Sequence, residues 1–293
     1  MYNFVLVPVD GSDSSIAALE HAVEIAADHG ATVHLLYVAD TNTPSLARQG
    51  TTVVDTLEQE GEDVLAEARS VAEEQGVPIM SDVIQGDPRK VILKTADSGP
   101  VDLIVMGTHG RRRLGEYVLG SVTEGVINET EMPVVTVRAA DDVTPSYPYD
   151  GICIPTDGSD HAAAAVRLGG ELAAHHDATV HLLTIVDTPA LGIADGTVSI
   201  TDQLEERARE ILTEASAIAS DAGAEDVVTT VESGSVTREI ESAADADGVD
   251  LVVMGTHGRV GLDQRLLGST TERVIRTAPT PVLTTTAPAV DDE

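Results

Sequence analysis

A chain of 293 residues is long enough for two domains of ordinary size, each with its own buried core. It carries 50 acidic against 17 basic residues, a formal charge of -33, which argues against a nucleic-acid backbone or an anionic membrane as a general partner. Hydrophobic residues make up 42% but aromatics only 2%, so the cores must be built from Val, Ile, Leu and Ala, as suits strands buried on both faces of a layered α/β sheet.

The chain enters a strand-like run at once, Tyr2 to Val9, with no basic region before an apolar stretch. No window approaches the roughly 18 uninterrupted apolar residues of a membrane span, so a cytoplasmic protein without membrane insertion is expected. Short β-branched runs then alternate with Ala/Glu-rich stretches of helical period, the pattern of βαβ units. Strands are predicted near 2–9, 32–38, 78–84, 101–106 and 133–138, with helices near 13–29, 52–75, 87–97 and 120–130. Ser12 is placed to cap the first helix and Gly30 to end it. The polar, proline-bearing stretch 141–149 reads as a linker between domains at 1–140 and 150–286, followed by an acidic tail at 287–293. Strands recur near 151–156, 179–186, 226–231, 249–254 and 280–285. Cys153, alone in the chain, sits in the apolar run Gly151–Ile154 and reads as a buried core thiol.

The second half repeats the first. Val7-Pro8-Val9-Asp10-Gly11-Ser12 returns as Ile154-Pro155-Thr156-Asp157-Gly158-Ser159, and Val101 to Gly110 returns as Val249 to Gly258. The offset is 147 at Asp10/Asp157 and 148 at Gly107/Gly255, one residue of net insertion between duplicated domains.

After the fourth strand of the first copy comes Gly107-Thr108-His109-Gly110, nine residues, and then Gly120-Ser121-Val122-Thr123 opening a helix. The second copy gives Gly255-Thr256-His257-Gly258, nine residues, and Gly268-Ser269-Thr270-Thr271. Glycines at a strand end admit a ligand close to the backbone, and a helix start offers free N–H donors at a positive dipole end, which together suit a phosphate. Ser121, Thr123, Ser269 and Thr271 would add hydroxyl donors. The competing reading is a bare strand-to-helix turn with Ser and Thr as caps; retention of the full spacing in both copies weighs against it.

Arg111, Arg112, Arg113, Arg259 and Arg265 fall in the two nine-residue inserts, five of the 17 basic residues where an even spread would put about one. Positive charge kept there suits a bound anion, although pairing with nearby carboxylates would also retain it. Asp10 and Asp157 close the first strand of each copy, at the crevice of a doubly wound sheet if its order is 3-2-1-4-5. Either contacts a ribose or adenine edge, or caps the next helix. His109 and His257 either shape the glycine turn or touch phosphate.

On these residues the chain resembles the universal stress protein (UspA-like) family in its tandem form, through the signature G-x2-G-x9-G-[ST] in both copies and an early strand ending in Pro-x-Asp. The resemblance implies two tandem doubly wound five-stranded α/β domains, Rossmann-like, packed as an internal pseudo-dimer in which 133–138 pairs with 281–286, with further homo-oligomers open. It implies an adenine nucleotide (ATP, ADP or AMP) lined in the first copy by Pro8, Asp10, Val38, Met106, Gly107 and Gly110, with Gly120, Ser121, Val122 and Thr123 at the phosphates. The second site would use Pro155, Asp157, Ile185, Met254, Gly255, Gly258, Gly268, Ser269, Thr270 and Thr271. Any Mg2+ would be held mainly by nucleotide and water, since no dedicated metal cluster is visible in the sequence. The acidic composition is similar to that of cytosolic proteins of extreme halophiles.

A nucleotide-dependent stress-response or regulatory protein with slow or no hydrolysis, acting through an unidentified protein partner, is the reading this favours. An enzyme hydrolysing or transferring phosphoryl groups is the alternative; there is no Walker motif, and neither lysine, Lys90 or Lys94, falls in the loop. A dinucleotide-dependent oxidoreductase is disfavoured because no G-x-G-x-x-G follows the first strand of either copy.

Overall fold

The computed structural model describes residues 1–41, 52–110, 118–139, 145–187, 198–258 and 267–287. The chain divides into two compact units, Met1–Val143 and Thr144–Glu293. The five arginines of the inserts, residues 141–144 of the expected linker and residues 288–293 of the expected tail lie outside the described residues.

The first unit runs β1 (Phe4–Pro8), α1 (Asp13–His29), β2 (Thr32–Asp40), α2 (Thr52–Glu74), β3 (Ile79–Gly86), α3 (Pro88–Ser98), β4 (Leu103–Gly107), α4 (Ser121–Glu129) and β5 (Val134–Val137). Its strands lie in the order β3-β2-β1-β4-β5, all parallel. The second unit runs β6 (Gly151–Pro155), α5 (Asp160–His176), β7 (Thr179–Asp187), α6 (Val198–Asp221), β8 (Asp226–Gly234), α7 (Val236–Ala244), β9 (Leu251–Gly255), α8 (Ser269–Thr277) and β10 (Val282–Thr285). Its order is β8-β7-β6-β9-β10, again parallel. Both units therefore have the doubly wound order 3-2-1-4-5.

The apolar pattern explains which strands are central. Val5, Leu6 and Val7 of β1 and every residue of β4 are buried, as continuous apolar runs covered on both faces must be. In β3, at the edge, burial alternates and Met80 and Ile84 are exposed. Cys153 lies fully buried in β6, where burial pushes its thiol up to about 12.

Helix ends follow the sequence closely. Ser12 caps α1 by accepting the Ser15 N–H, and Gly30 ends it in the left-handed region at φ 65°. Ser159 caps α5 in the same way, accepting from Ala162 N, but the left-handed C-cap is Asp177 at φ 57°. The repeated aspartate before the fourth strand holds the start of the first. Asp102 accepts the N–H groups of Asn3 at 2.8 Å and Phe4 at 3.1 Å. Asp250 takes those of Asp150 at 2.7 Å and Gly151 at 3.2 Å. Each carboxylate thus satisfies backbone donors where the first strand begins.

Candidate functional site

Strands β1 and β4 are parallel neighbours in the register Val5↔Leu103 and Leu6↔Ile104, so their carboxyl ends reach the same edge of the sheet. From β1 the chain crosses through α1 to β2 on one side, while β4 lies on the other; a crevice opens at such a switch point. Pro8 ends β1 with Asp10 just beyond it, Val38 sits late in β2, and the buried Met106 and Gly107 end β4. Pro155, Asp157, Ile185, Met254 and Gly255 hold the same places on β6, β7 and β9.

The glycines answer to different demands. A Cβ at Gly107 would stand 2.7 Å from the Ser14 backbone, and one at Gly255 would stand 2.7 Å from that of His161. These two glycines are therefore required by the first turn of the helix packed across the strand end, whatever binds nearby. At Gly110 a Cβ would run into the Asp10 carboxylate, and at Gly258 it would stand 2.9 Å from Asp157 Oδ2. The aspartate after the first strand and the glycine turn after the fourth are thus brought face to face. Gly120 N–H donates to the Thr108 carbonyl at 2.7 Å and Gly268 N–H to that of Thr256 at 2.9 Å, closing the loop at its base.

The helix openings differ from the expectation in one respect. The N-caps of α4 and α8 are Gly120 and Gly268, which make no side-chain cap hydrogen bond. The turn is therefore not one capped by Ser or Thr. Ser121 and Ser269 are the exposed first helical residues, and Val122 and Thr270 are half-buried. Thr123 and Thr271 are buried, and their hydroxyls donate to the carbonyls of Gly107 at 2.9 Å and Gly255 at 3.0 Å. A hydroxyl has one proton to give, and in this structure these two give it to the strand end, tying helix to strand. The backbone N–H groups of the first turn remain the donors that a helix cannot satisfy internally.

Asp10 does not cap α1. Its Oδ1 accepts from Ser12 N at 3.0 Å and Ser12 Oγ at 2.6 Å, an Asx turn that sets the Ser12 cap. Asp157 Oδ1 accepts from Ser159 N at 2.9 Å. The His109 ring lies against Ser14 Oγ, 3.3 Å from Nδ1, and against Thr108 Oγ1, 3.1 Å from Nδ1, contacts that favour the loop-shaping reading. His257 keeps the bond to its threonine, Thr256, at 3.0 Å. Its other neighbour is His161, whose ring centroid is 5.1 Å away. Sequence reading missed His161; aligning the copies would have marked it, because it stands where the first copy has Ser14.

Two stretches, 1–138 and 148–285, each match the universal stress protein family. Universal stress protein MJ0531 of Methanocaldococcus jannaschii is 37% identical over 141 residues, spanning 47% of this chain and 83% of its own length. A universal stress protein of Mycolicibacterium smegmatis is 26% identical over 301 residues, with 95% of each chain covered. The crystal structure of a universal stress protein from Archaeoglobus fulgidus shares the fold over 98% of this chain and 99% of its own, with a TM-score of 0.72 and 23% identity. No helix among the described residues is long and apolar enough to cross a membrane. With one family match in each half, the chain belongs to the universal stress protein family and carries its domain twice.

Proposed function

We propose that each unit binds one adenine nucleotide, ATP, ADP or AMP, and that the chain is a nucleotide-dependent stress-response or regulatory protein with slow or no hydrolysis. The observation that carries this is the meeting of two features at the carboxyl ends of β1 and β4. One is a helix opened by an uncapped glycine; the other is a carboxylate set against the glycine turn, Asp10 at Gly110 and Asp157 at Gly258. These residues fit the ligand. A helix opening without a competing side chain suits phosphate oxygens, and a carboxylate accepts hydroxyl or amino protons from ribose or adenine.

In this reading Pro8, Val38 and Met106 line the adenosine side with Asp10, while the backbone from Gly120 to Thr123 receives the phosphates. Pro155, Ile185, Met254 and Asp157, with Gly268 to Thr271, would do the same in the second unit. Mg2+, where it accompanies the nucleotide, would keep mostly phosphate and water ligands. The formal net charge of -33 supports a working environment of molar salt, where the Debye length falls to about 3 Å. Partner proteins and further self-association would read the nucleotide state.

The test is calorimetric titration with ATP in molar KCl, with extraction of any co-purified nucleotide and measurement of phosphate release. Two sites per chain and little turnover are expected. Ser121→Asp should remove the first site and Ser269→Asp the second, because a carboxylate at an exposed first helical position suits the helix dipole but repels phosphate. Absence of both binding and carried nucleotide would overturn the proposal, and many cycles per minute would move it to the enzymatic alternative.

A further inference from the structure

Ser14 and His161 occupy the same place in the two units, each packed against the glycine that ends the fourth strand. In the first unit the Ser14 hydroxyl lies 3.3 Å from Nδ1 and 3.4 Å from Nε2 of His109. A hydroxyl donates or accepts as required, so this contact survives protonation of the ring. In the second unit the contact is between two imidazoles, His161 and His257, 5.1 Å apart at 50°. His257 Nε2 is buried with no hydrogen-bond partner among the described residues. His161 Nδ1 accepts the N–H of Ala287, just beyond β10, at 3.0 Å. An accepting ring nitrogen carries no proton, so that bond requires neutral His161.

We propose that the His161–His257 pair is an acid-sensitive brace of the second glycine loop, through which the second unit loses its nucleotide on mild acidification while the first unit keeps its own. This rests on the nucleotide reading above. A proton on His161 Nδ1 removes the acceptor for Ala287 and places a cation beside His257, on the loop that also carries Gly255 and Gly258. Burial first, and His257 second, hold the His161 pKa below its ordinary 6.5; Asp160 on its own helix and Asp157 in the turn after β6 act in the opposite sense. With the braced-state pKa lowered, the brace is fully present above the ordinary value and is lost as pH falls from there through the lowered one.

ATP should be titrated in molar KCl at about pH 7.5 and about pH 5.5, on the Ser121→Asp chain, which retains the second site, and on the Ser269→Asp chain, which retains the first. Protonation of the terminal phosphate over this range affects both sites alike. The second site should weaken roughly tenfold more than the first. Adding His161→Ser to the Ser121→Asp chain should abolish that excess, and Ser14→His in the Ser269→Asp chain should confer it on the first site. Equal weakening of the two sites, or an excess that survives His161→Ser, overturns the brace and leaves the nucleotide reading intact. No binding to either chain at the higher pH overturns the nucleotide reading and the brace with it.

Discussion

The Thr123 hydroxyl donates to the Gly107 carbonyl at 2.9 Å, joining the first turn of α4 to the last residue of β4, and Thr271 repeats the bond to Gly255 at 3.0 Å. Thr123→Val keeps the shape and deletes this bond, leaving a buried carbonyl short of a partner. A loss of about 1–2 kcal/mol in stability is expected from denaturant titration in molar KCl. Affinity should fall only through the displaced helix opening. If nucleotide binding vanished while stability was unchanged, the hydroxyl would belong to the ligand after all.

Two glycines of the same loop should respond differently to alanine. Gly107→Ala drives a Cβ to 2.7 Å from the Ser14 backbone, which cannot swing aside. It should cost about 1–3 kcal/mol in unfolding free energy. Gly110→Ala meets only the tip of the Asp10 side chain, so stability should hold while the nucleotide dissociation constant rises roughly tenfold or more. Thermal melts beside calorimetric titrations of both variants check the contrast.

Asp177 ends α5 at φ 57°, where the first unit uses Gly30 at φ 65°. Asp177→Gly removes both the left-handed penalty and a negative charge from the negative end of the helix dipole. A gain of about 0.5–1 kcal/mol is expected, seen as a Tm raised by about 2 °C in calorimetric scans.

Lowering the salt should destabilise the chain. At a net charge of -33 the self-repulsion screened at molar KCl acts over about 10 Å at 0.1 M salt. Unfolding free energy should fall by a few kcal/mol between those conditions, checked by urea titrations, since urea adds no ions. An unchanged midpoint would mean that the acidic surface plays no part in setting the salt optimum.

The strands and helices were legible because burial on two faces gives the central strands unbroken apolar runs while the helices keep a 3.6-residue period. The caps were legible at Ser12 and Gly30, where residue type and backbone demand coincide. The chemistry of individual groups was less so. Thr123 stands in the first turn of α4 in any reading, but whether its hydroxyl faces a ligand or the strand depends on one side-chain rotamer that spacing does not encode. Gly107 repeats as Gly255 for a reason that sequence assigns to a ligand and packing assigns to α1 and α5. His161 was hidden because the resemblance between the copies draws attention to what they share, and its interest lies in a difference.

Cys153 gives the second unit a built-in clock. Fully buried in β6, and with its thiol held neutral up to about pH 12, it cannot meet a labelling reagent until that unit opens. The first unit contains no cysteine. The rate at which a thiol reagent modifies the intact chain therefore times the opening of one half against a silent other half, and addition of nucleotide would slow labelling only as far as ligand holds that half shut.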